Sequence, residues 1–193
     1  MSRAILIVDV QNDFVEGGAL GVTGGTEVAR GISHHVAAHA TEYAVVAASR
    51  DWHAADSDNG GHFHAPGEEP DFNRTWPVHC VSGDHGSEYA PDFDTGHVTH
   101  HVRKGMGVPA YSAFEGVTEQ GEALATVLRE AGVTEVDVVG IATDYCVRAS
   151  VLDACREGFD VRLLFGLHAG VAEGTSAAAL EEMTAAGARV SAP

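Results

Sequence analysis

One cysteine of this 193-residue chain stands where a reactive thiol is expected. Cys146 follows the apolar run VDVVGIA and precedes a stretch with helical spacing. We therefore predict that it lies beyond a strand end, in the first turn of a helix, with Thr143 as the N-cap. The N–H groups of a helix N-terminus stabilise a thiolate and can hold an oxyanion. The alternative is an inert core residue, since free cysteines are usually small buried hydrophobes.

A second cysteine of the same predicted helix provides a comparison. Cys155 lies nine positions after Cys146, which at roughly 100° per residue places it on the opposite side of the helix. It shares that side with Val151 and Leu152, so we expect it in the core. Arg148 falls within the same arc, and the sequence offers no explanation for it.

Two ionisable residues could serve a thiol nucleophile as base and charge partner. Asp9 directly follows the apolar run AILIV, where desolvation would raise its carboxyl pKa. Lys104 follows the run HVTHHV by one residue and could hold Asp9 ionised and favour the thiolate. Taken singly, a capping aspartate and a surface lysine are the simpler interpretations.

Histidines and one carboxylate form a candidate metal site. Asp51 and His53 are separated by one residue, so on a strand end both side chains point to the same face. His62 and His64 follow in GGHFH, and His79 ends WPVH. One carboxylate with two or three imidazoles suits one divalent ion (Zn²⁺, Fe²⁺ or Mn²⁺) with positions left open for water or substrate. The alternative is a histidine-rich solvated loop.

Short β-branched runs alternate with longer stretches of helical spacing, which predicts an α/β fold. We expect a single domain over residues 1–193, with a mostly parallel central sheet of about six strands flanked by helices on both faces. The expected strands are 3–8, 44–49, 97–102, 136–141, 160–165 and an edge strand at 188–190. The expected helices are 26–41, 118–132, 144–157 and 174–186.

The predicted topology gathers the candidate residues, because ligands bind beyond the carboxyl ends of strands in an open parallel sheet. Each candidate follows a different predicted strand: Asp9, Asp51, Lys104 and Cys146. The region at about 51–91 is rich in Gly, Pro, His and Asp and is too long for an ordinary loop. It also carries aromatic residues, which disordered linkers usually lack. We interpret it as a loop that builds a metal and substrate site.

Composition limits the partners. The 11 basic and 28 acidic residues give a net charge of −17, which repels nucleic acid and anionic membranes. Three cysteines without disulfide-framework spacing indicate a reducing compartment. The N-terminal MSRAILIVDVQNDF is no signal peptide, and no run approaches the roughly 18 apolar residues of a membrane span. We expect a cytoplasmic monomer or small homo-oligomer with a small-molecule substrate.

Five segments resemble the nicotinamidase/pyrazinamidase family of the isochorismatase-like cysteine hydrolases: ILIVDVQNDFVEGGAL, DWH…GGHF, WPVHCVSG, KGMGVPAYSAFEG and VDVVGIATDYCVRASVLDA. Together they reach from about residue 3 to residue 186. The resemblance implies an isochorismatase-like, Rossmann-like fold and one bound divalent metal ion. It also implies hydrolysis of nicotinamide, or of pyrazinamide-like analogues, to the acid and ammonia through a thioester.

The resemblance further implies roles for individual residues. The catalytic triad would be Asp9, Lys104 and Cys146. The metal ligands would be Asp51, His53, His62 and His79. The pocket would be lined by Phe14 and Trp76, which sandwich the pyridine ring, and by Tyr111, Ala142 and Tyr145. A cis peptide bond before Ala142 would turn the N–H groups of Ala142 and Cys146 into the oxyanion hole.

Two features qualify these assignments. Tyr145 stands where relatives often carry histidine, which leaves the amide end of the pocket and the substrate preference open. His64, two residues past His62, is a possible competing metal ligand.

Three other interpretations fit parts of the sequence. A related amidohydrolase could act on a carbamoyl or ureido compound. A metal-binding module without catalysis would have no need of Asp9, Lys104 and Cys146 together. The segment GMGVPA at 105–110 fits a dinucleotide fingerprint, but Pro109 and AYSAFEG follow it instead of a long helix, so we treat it as a chance match.

Overall fold

The computed structural model describes residues 2–193. The strands are β1 (Ser2–Val8), β2 (Val45–Asp51), β3 (His100–Lys104), β4 (Val117–Thr118), β5 (Val133–Ile141), β6 (Asp160–Ala169) and β7 (Arg189–Ser191). They form a seven-stranded central sheet in the order β4-β3-β2-β1-β5-β6-β7, parallel throughout except for the β3–β4 pair. The helices are α1 (Gly25–His39), α2 (Leu124–Glu130), α3 (Arg148–Arg156) and α4 (Glu173–Ala185).

Helices cover both faces of the sheet. The central strand β1 is therefore apolar at successive positions instead of alternating between apolar and polar residues. Along β1, Ala4, Leu6 and Val8 join the core beneath α2, α3 and α4. Ile5 and Ile7 point to the other face, where α1 and the chain between β2 and β3 cover them. A parallel strand buried on both faces needs apolar residues at successive positions.

The predicted α/β class, with a mostly parallel sheet between helices, is confirmed. The sheet has one strand more than expected, because the two-residue β4 pairs antiparallel with β3 at its edge. The predicted helix 118–132 is therefore wrong in its first turns. Thr118 N–H donates to Glu122 O in a tight turn that contains Gly121 at φ 83°, and α2 begins only at Leu124.

The predicted strand 97–102 begins later, at His100. Just before it, the Thr99 hydroxyl donates to Val46 O and accepts from Val46 N–H, so a side chain takes the place of a ladder partner. Of the helices between residues 2 and 193, none is long and apolar enough to cross a membrane.

The two central strands approach closely beside the candidate residues. Gly140, near the end of β5, has φ 123°, and a Cβ built on it would lie 2.1 Å from Val8 O. Only glycine permits this approach. It lies where β1 leads into Asp9 and β5 leads toward Cys146.

Candidate active site

The carboxyl ends of four neighbouring parallel strands bring the three predicted catalytic residues together with one predicted metal ligand. Asp9 follows β1, and Asp51 and Lys104 end β2 and β3, where they are partners in register. Cys146 lies beyond β5. All four residues are buried. The crevice at the carboxyl ends of parallel strands is where ligands bind in sheets of this kind.

Lys104 is the centre of the cluster. Its Nζ lies 2.9 Å from Asp9 Oδ2 and 3.7 Å from Cys146 Sγ, and it also contacts Asp51 Oδ1. The thiol and the nearest oxygens of the two carboxylates lie within 4.8 Å of one another. Because the ammonium already supplies their cation, we do not interpret these three groups as a metal site.

Burial governs the ionisation of the cluster. It raises the pKa of Asp9 although the Lys104 ammonium acts in the opposite sense. Burial also raises the pKa of the Cys146 thiol well above its usual value, again against the effect of Lys104. For Lys104 itself burial acts to lower the pKa, but the charges of Asp51 and Asp9 outweigh it and raise the pKa well above its usual value. Burial thus outweighs the stabilisation of a thiolate that we expected from a helix N-terminus, and the thiol needs a base.

Asp9 is held by a neighbour that the sequence did not single out. The Ser49 hydroxyl, on β2, donates to Asp9 Oδ1 at 2.7 Å, and Asp9 N–H donates to Ser49 O at 3.2 Å. Asp9 adopts φ 48°, a left-handed conformation that is uncommon for a residue other than glycine and that recurs at functional sites. In the sequence Ser49 is one serine in an apolar strand, with no signal that it faces Asp9.

The segment that carries the thiol differs in detail from the prediction. Thr143–Val147 forms a turn of π-helix before α3, and we call it the nucleophile turn. Ala142 is its N-cap, and the bond between Ile141 and Ala142 is cis, as the resemblance implies. Thr143 was predicted to cap the helix. Instead its hydroxyl lies 2.9 Å from His168 Nδ1.

Two residues of α3 also need comment. Cys155 was expected in the core, but it is only half-buried against it, so that prediction is wrong. Arg148, which the sequence left unexplained, donates to the Glu182 carboxylate on α4. It faces a neighbouring helix at the surface and not the core.

The histidines meet beside Asp51. One ring nitrogen from each of His53, His62 and His79 lies within 4.8 Å of the others, and all three residues are buried. Asp51 Oδ2 lies 3.7 Å from His53 Nε2 and 3.8 Å from His79 Nε2. His64 lies outside this cluster, with its Nδ1 3.1 Å from Ala65 O.

Backbone carbonyls orient two of the rings. His53 Nδ1 lies 2.9 Å from Gly105 O, and His79 Nδ1 lies 2.7 Å from Pro77 O. A proton on each Nδ1 leaves the Nε2 lone pair facing Asp51, which is how metal-binding imidazoles are usually fixed. Gly105 has φ 83°, and a Cβ on it would lie 2.6 Å from His53 Cε1, so glycine is required at this close contact.

The charge states of the cluster suit a divalent cation. Although burial acts against ionisation, the Lys104 ammonium beside it holds the pKa of Asp51 well below its usual range. Burial lowers the pKa of His62 to about 3, so this imidazole is neutral. Within residues 2–193, the buried atoms His53 Nε2 and His62 Nδ1 have no hydrogen-bond partner. Unpartnered nitrogens beside a carboxylate fit a metal centre.

A cavity of about 250 Å³ opens beside both clusters. It is smaller than the roughly 300–1,000 Å³ typical of pockets for drug-sized ligands, so it suits a small molecule. Its polar lining comes from Asp51, His62, His79 and Cys146. Its other lining includes all the predicted pocket residues, Phe14, Trp76, Tyr111, Ala142 and Tyr145, and others that the sequence did not indicate: Ala19, Leu20, Gly21, Val22, Phe72 and Val171.

The aromatic side chains of the cavity contact one another. Trp76 Nε1 donates to Tyr111 Oη at 2.9 Å, and the Trp76 and Tyr145 rings meet edge to face at 5.0 Å. Phe14 lies 5.6 Å from the His79 ring. These contacts form a preorganised apolar cavity next to the thiol.

Gln11 is a further residue that sequence reasoning missed. It is fully buried, its Oε1 accepts from Asp51 N–H, and its Nε2 donates to Asp51 O and Ser87 O. It therefore fixes the backbone of Asp51. A single glutamine three residues after a strand carries no sequence signal for this contact.

A parallel sheet that gathers a buried thiol, a carboxylate and an ammonium beside a histidine cluster has the groups that a hydrolase with a thiol nucleophile requires. The isochorismatase domain family matches residues 3–192. A nicotinamidase/pyrazinamidase of Mycobacterium tuberculosis is 50% identical over 184 residues, which cover 95% of each chain. The chain belongs to the isochorismatase family.

Solved structures agree with this assignment. The pyrazinamidase of Pyrococcus horikoshii in complex with zinc is 33% identical, with a TM-score of 0.83 over 100% of each chain. PnC1 from L. infantum in complex with nicotinate is 32% identical, with a TM-score of 0.82 over 99% of this chain and 92% of the other. The resemblance seen in the five sequence segments is thus confirmed.

Proposed function

We propose that the chain is a nicotinamide amidohydrolase, which converts nicotinamide and pyrazinamide-like analogues to the acid and ammonia. The observation that carries the proposal is the position of Lys104 Nζ, which contacts both Asp9 and the Cys146 thiol at the wall of a small aromatic cavity. Relatives named nicotinamidase or pyrazinamidase, and a neighbour that holds nicotinate, support the substrate.

The acylation step uses three side chains. Asp9 accepts the proton of Cys146 Sγ while Lys104 stabilises the charges that result, and the sulfur attacks the carboxamide carbon. In our proposal the backbone N–H groups of Ala142 and Cys146 hold the oxyanion, and loss of one such donor typically costs about 2.7–4 kcal/mol of barrier. The proton on Asp9 passes to the leaving nitrogen, the C–N bond breaks, and ammonia departs from a thioester.

Hydrolysis of the thioester restores the thiol. Asp9, again a carboxylate, takes a proton from water, whose oxygen attacks the thioester carbon. The C–S bond breaks, the proton on Asp9 returns to sulfur, and the acid product leaves as nicotinate after it releases its own proton to solvent. The raised pKa of Asp9 suits a group that both accepts and returns a proton.

One divalent ion would be held by Asp51, His53, His62 and His79, and we propose Zn²⁺, Fe²⁺ or Mn²⁺. Zinc is the ion bound in the P. horikoshii pyrazinamidase. When bound, the ion would supply a Lewis acid that binds the ring nitrogen of the substrate and orients the ring. Phe14 and Trp76 would sandwich that ring, with Tyr111 and Tyr145 beside it.

The same proposal extends to the whole chain. We propose that residues 1–193 act as one domain, with the region at about 51–91 as its metal and substrate loop. A cytoplasmic location and a monomer or small homo-oligomer stay predictions from the cysteines and the composition.

The test is ammonia release from nicotinamide by purified, metal-replete protein. We expect activity in wild type and background release in Cys146→Ala. Cys155→Ala is the matched control and should keep wild-type activity, since Cys155 lies on α3 away from the cavity lining. Full activity in Cys146→Ala would refute the thiol mechanism. An inactive but folded and metal-loaded wild type would move the assignment to an amidohydrolase for carbamoyl or ureido compounds.

A further inference from the structure

The mouth of the cavity carries two exposed apolar side chains. Phe72 is 54% exposed and Val171 is 57% exposed, yet both line the cavity. They come from distant segments, the chain between β2 and β3 and the turn after β6. Single exposed apolar residues are ordinary on a protein surface, but two that line one cavity mouth can be covered by its ligand.

Phe72 is held at the mouth by an aspartate-centred turn. It adopts φ 54°, which is unfavourable for a bulky side chain. Asp71 Oδ1 accepts from the N–H groups of Asn73, Arg74 and Thr75 at 2.7–2.9 Å, and Phe72 N–H donates to Thr75 O. The turn therefore stabilises a strained backbone conformation of Phe72 that directs its exposed ring to the cavity. Strained backbone is common at ligand contacts.

The Phe72 ring also contacts the wall of the cavity. Its centroid lies 6.1 Å from that of Trp76 at an interplanar angle of 82°, an edge-to-face arrangement. Trp76 is itself buried and fixed by its hydrogen bond to Tyr111. The phenyl ring thus extends the aromatic wall outward.

Val171 is held by a second aspartate, on the nucleophile turn. The Asp144 carboxylate accepts from Val171 N–H at 3.0 Å and from Ala172 N–H at 3.3 Å, and the Thr175 hydroxyl donates to it as well. Asp144 is buried and lies two residues before Cys146. The position of Val171 is therefore tied to the segment that carries the nucleophile.

We infer that Phe72 and Val171 form an apolar rim that contacts the outer edge of the substrate ring and strengthens its binding. This inference rests on the proposed function. The polar groups lie around the thiol and the histidines, whereas the rim offers apolar surface only, so a ring edge gains contact there and a charged substituent would lose its hydration. Asp71 and Asp144 are positioning residues for the rim.

The experiment measures kcat and KM for nicotinamide, and Kd for nicotinate by calorimetry, in metal-replete variants. We expect Phe72→Ala to raise KM and Kd about tenfold and Val171→Ala about threefold, with kcat within about twofold of wild type, because ground-state contacts to the ring are lost. Asp71→Ala should raise KM by about as much as Phe72→Ala. The double variant Asp71→Ala/Phe72→Ala should then raise KM little further, since both substitutions remove the same contact to the ring.

The matched control is Phe165→Ala. Phe165 is 68% exposed and does not line the cavity, so KM and Kd should stay at wild-type values. Thermal melting of every variant checks the fold. Unchanged KM and Kd in both rim variants, with an active wild type, would overturn the rim and leave the proposed function standing. A wild type that neither hydrolyses nicotinamide nor binds nicotinate would overturn both.

Discussion

In the proposed mechanism Asp9 acts as a base although burial favours its neutral form. Burial raises its pKa, whereas the Lys104 charge and the hydrogen bond from Ser49 lower it. A hydrogen bond donated to a carboxylate stabilises the ionised state. Ser49 therefore controls how much of the enzyme has an ionised Asp9 at a given pH.

We predict that Ser49→Ala moves the acid limb of the kcat/KM profile for nicotinamide to higher pH. The direction follows because loss of a hydrogen bond to the charged form raises the carboxyl pKa, so the base becomes protonated at a higher pH than in wild type. Hydrogen bonds to charged groups contribute about 1.5–3 kcal/mol, so we expect about a tenfold loss of activity near neutral pH. The pH profile from pH 5 to pH 8 measures it.

Ser150→Ala is the control for this change. Ser150 is also a buried serine, but its hydroxyl accepts from Ala113 N–H at 2.9 Å and does not contact Asp9. Its replacement should lower stability and leave the acid limb in place. An acid limb that does not move in Ser49→Ala would show that Asp9 is not the titrating base.

A second prediction at this scale concerns the metal ligands. His53→Ala removes a buried nitrogen that faces Asp51, so we expect metal content to fall to a small fraction of wild type and nicotinate binding to weaken. His64→Ala, which removes a histidine outside the cluster, should keep its metal. Elemental analysis of both purified proteins decides, and equal metal content in the His53 variant would refute the ligand assignment.

At the scale of the elements, the N-terminus of α1 receives no hydrogen bond from the side chain of its N-cap residue. Its N-cap is Gly24, at φ 85°. The acceptor comes from a preceding loop, since Glu16 Oε1 accepts from Gly24 N–H at 2.6 Å and Oε2 accepts from Thr26 N–H at 2.9 Å and from its hydroxyl at 2.6 Å. Because of these bonds, first those from Thr26, the pKa of Glu16 falls from 4.5 to about 2.

We predict that Glu16→Ala lowers the free energy of unfolding at pH 7 by about 1 kcal/mol, the usual cost of a lost N-cap. A depressed carboxyl pKa contributes stability above the unfolded-state value, and this is lost as pH falls through the folded-state value. The difference from wild type should therefore be constant above about pH 4.5 and shrink toward about pH 2. Urea unfolding at several pH values measures it. The control is Glu27→Ala, in the first turn of α1, which should lower the free energy of unfolding by less than Glu16→Ala does.

Much of the element order was predictable because burial on both faces leaves continuous apolar runs such as AILIV and VDVVGI. The convergence of Asp9, Asp51 and Lys104 followed from strand ends in a parallel sheet. The short edge strand β4 was not predictable, because its two residues carry no periodicity and tertiary pairing decides their state. The same holds for Ser49 and Gln11, whose partners lie about 40 residues away.

At the scale of the whole molecule, the chain between β2 and β3 is the part least supported by regular structure. Between residues 52 and 99 the only helix is the single turn His85–Ser87. Isolated bridges, such as those of His53 with Val81 and of Phe63 with Trp76, hold it in place. This segment also supplies the three histidines of the candidate metal centre. A bound ion would join them to Asp51 at the end of β2, so metal binding and the order of this segment should be coupled.

We therefore predict that a chelator lowers the melting temperature of the purified protein. An ion that binds only the folded state contributes about 2.7 kcal/mol when its free concentration is 100 times Kd. For a chain of this size that corresponds to about 5–10 °C. The control is His53→Ala, which should melt near the temperature of chelated wild type and respond little to chelator. If chelation leaves the wild-type melting temperature unchanged while the metal is lost, the segment is ordered by its own contacts. The ion would then serve the substrate alone, because removing it would cost the fold no stability.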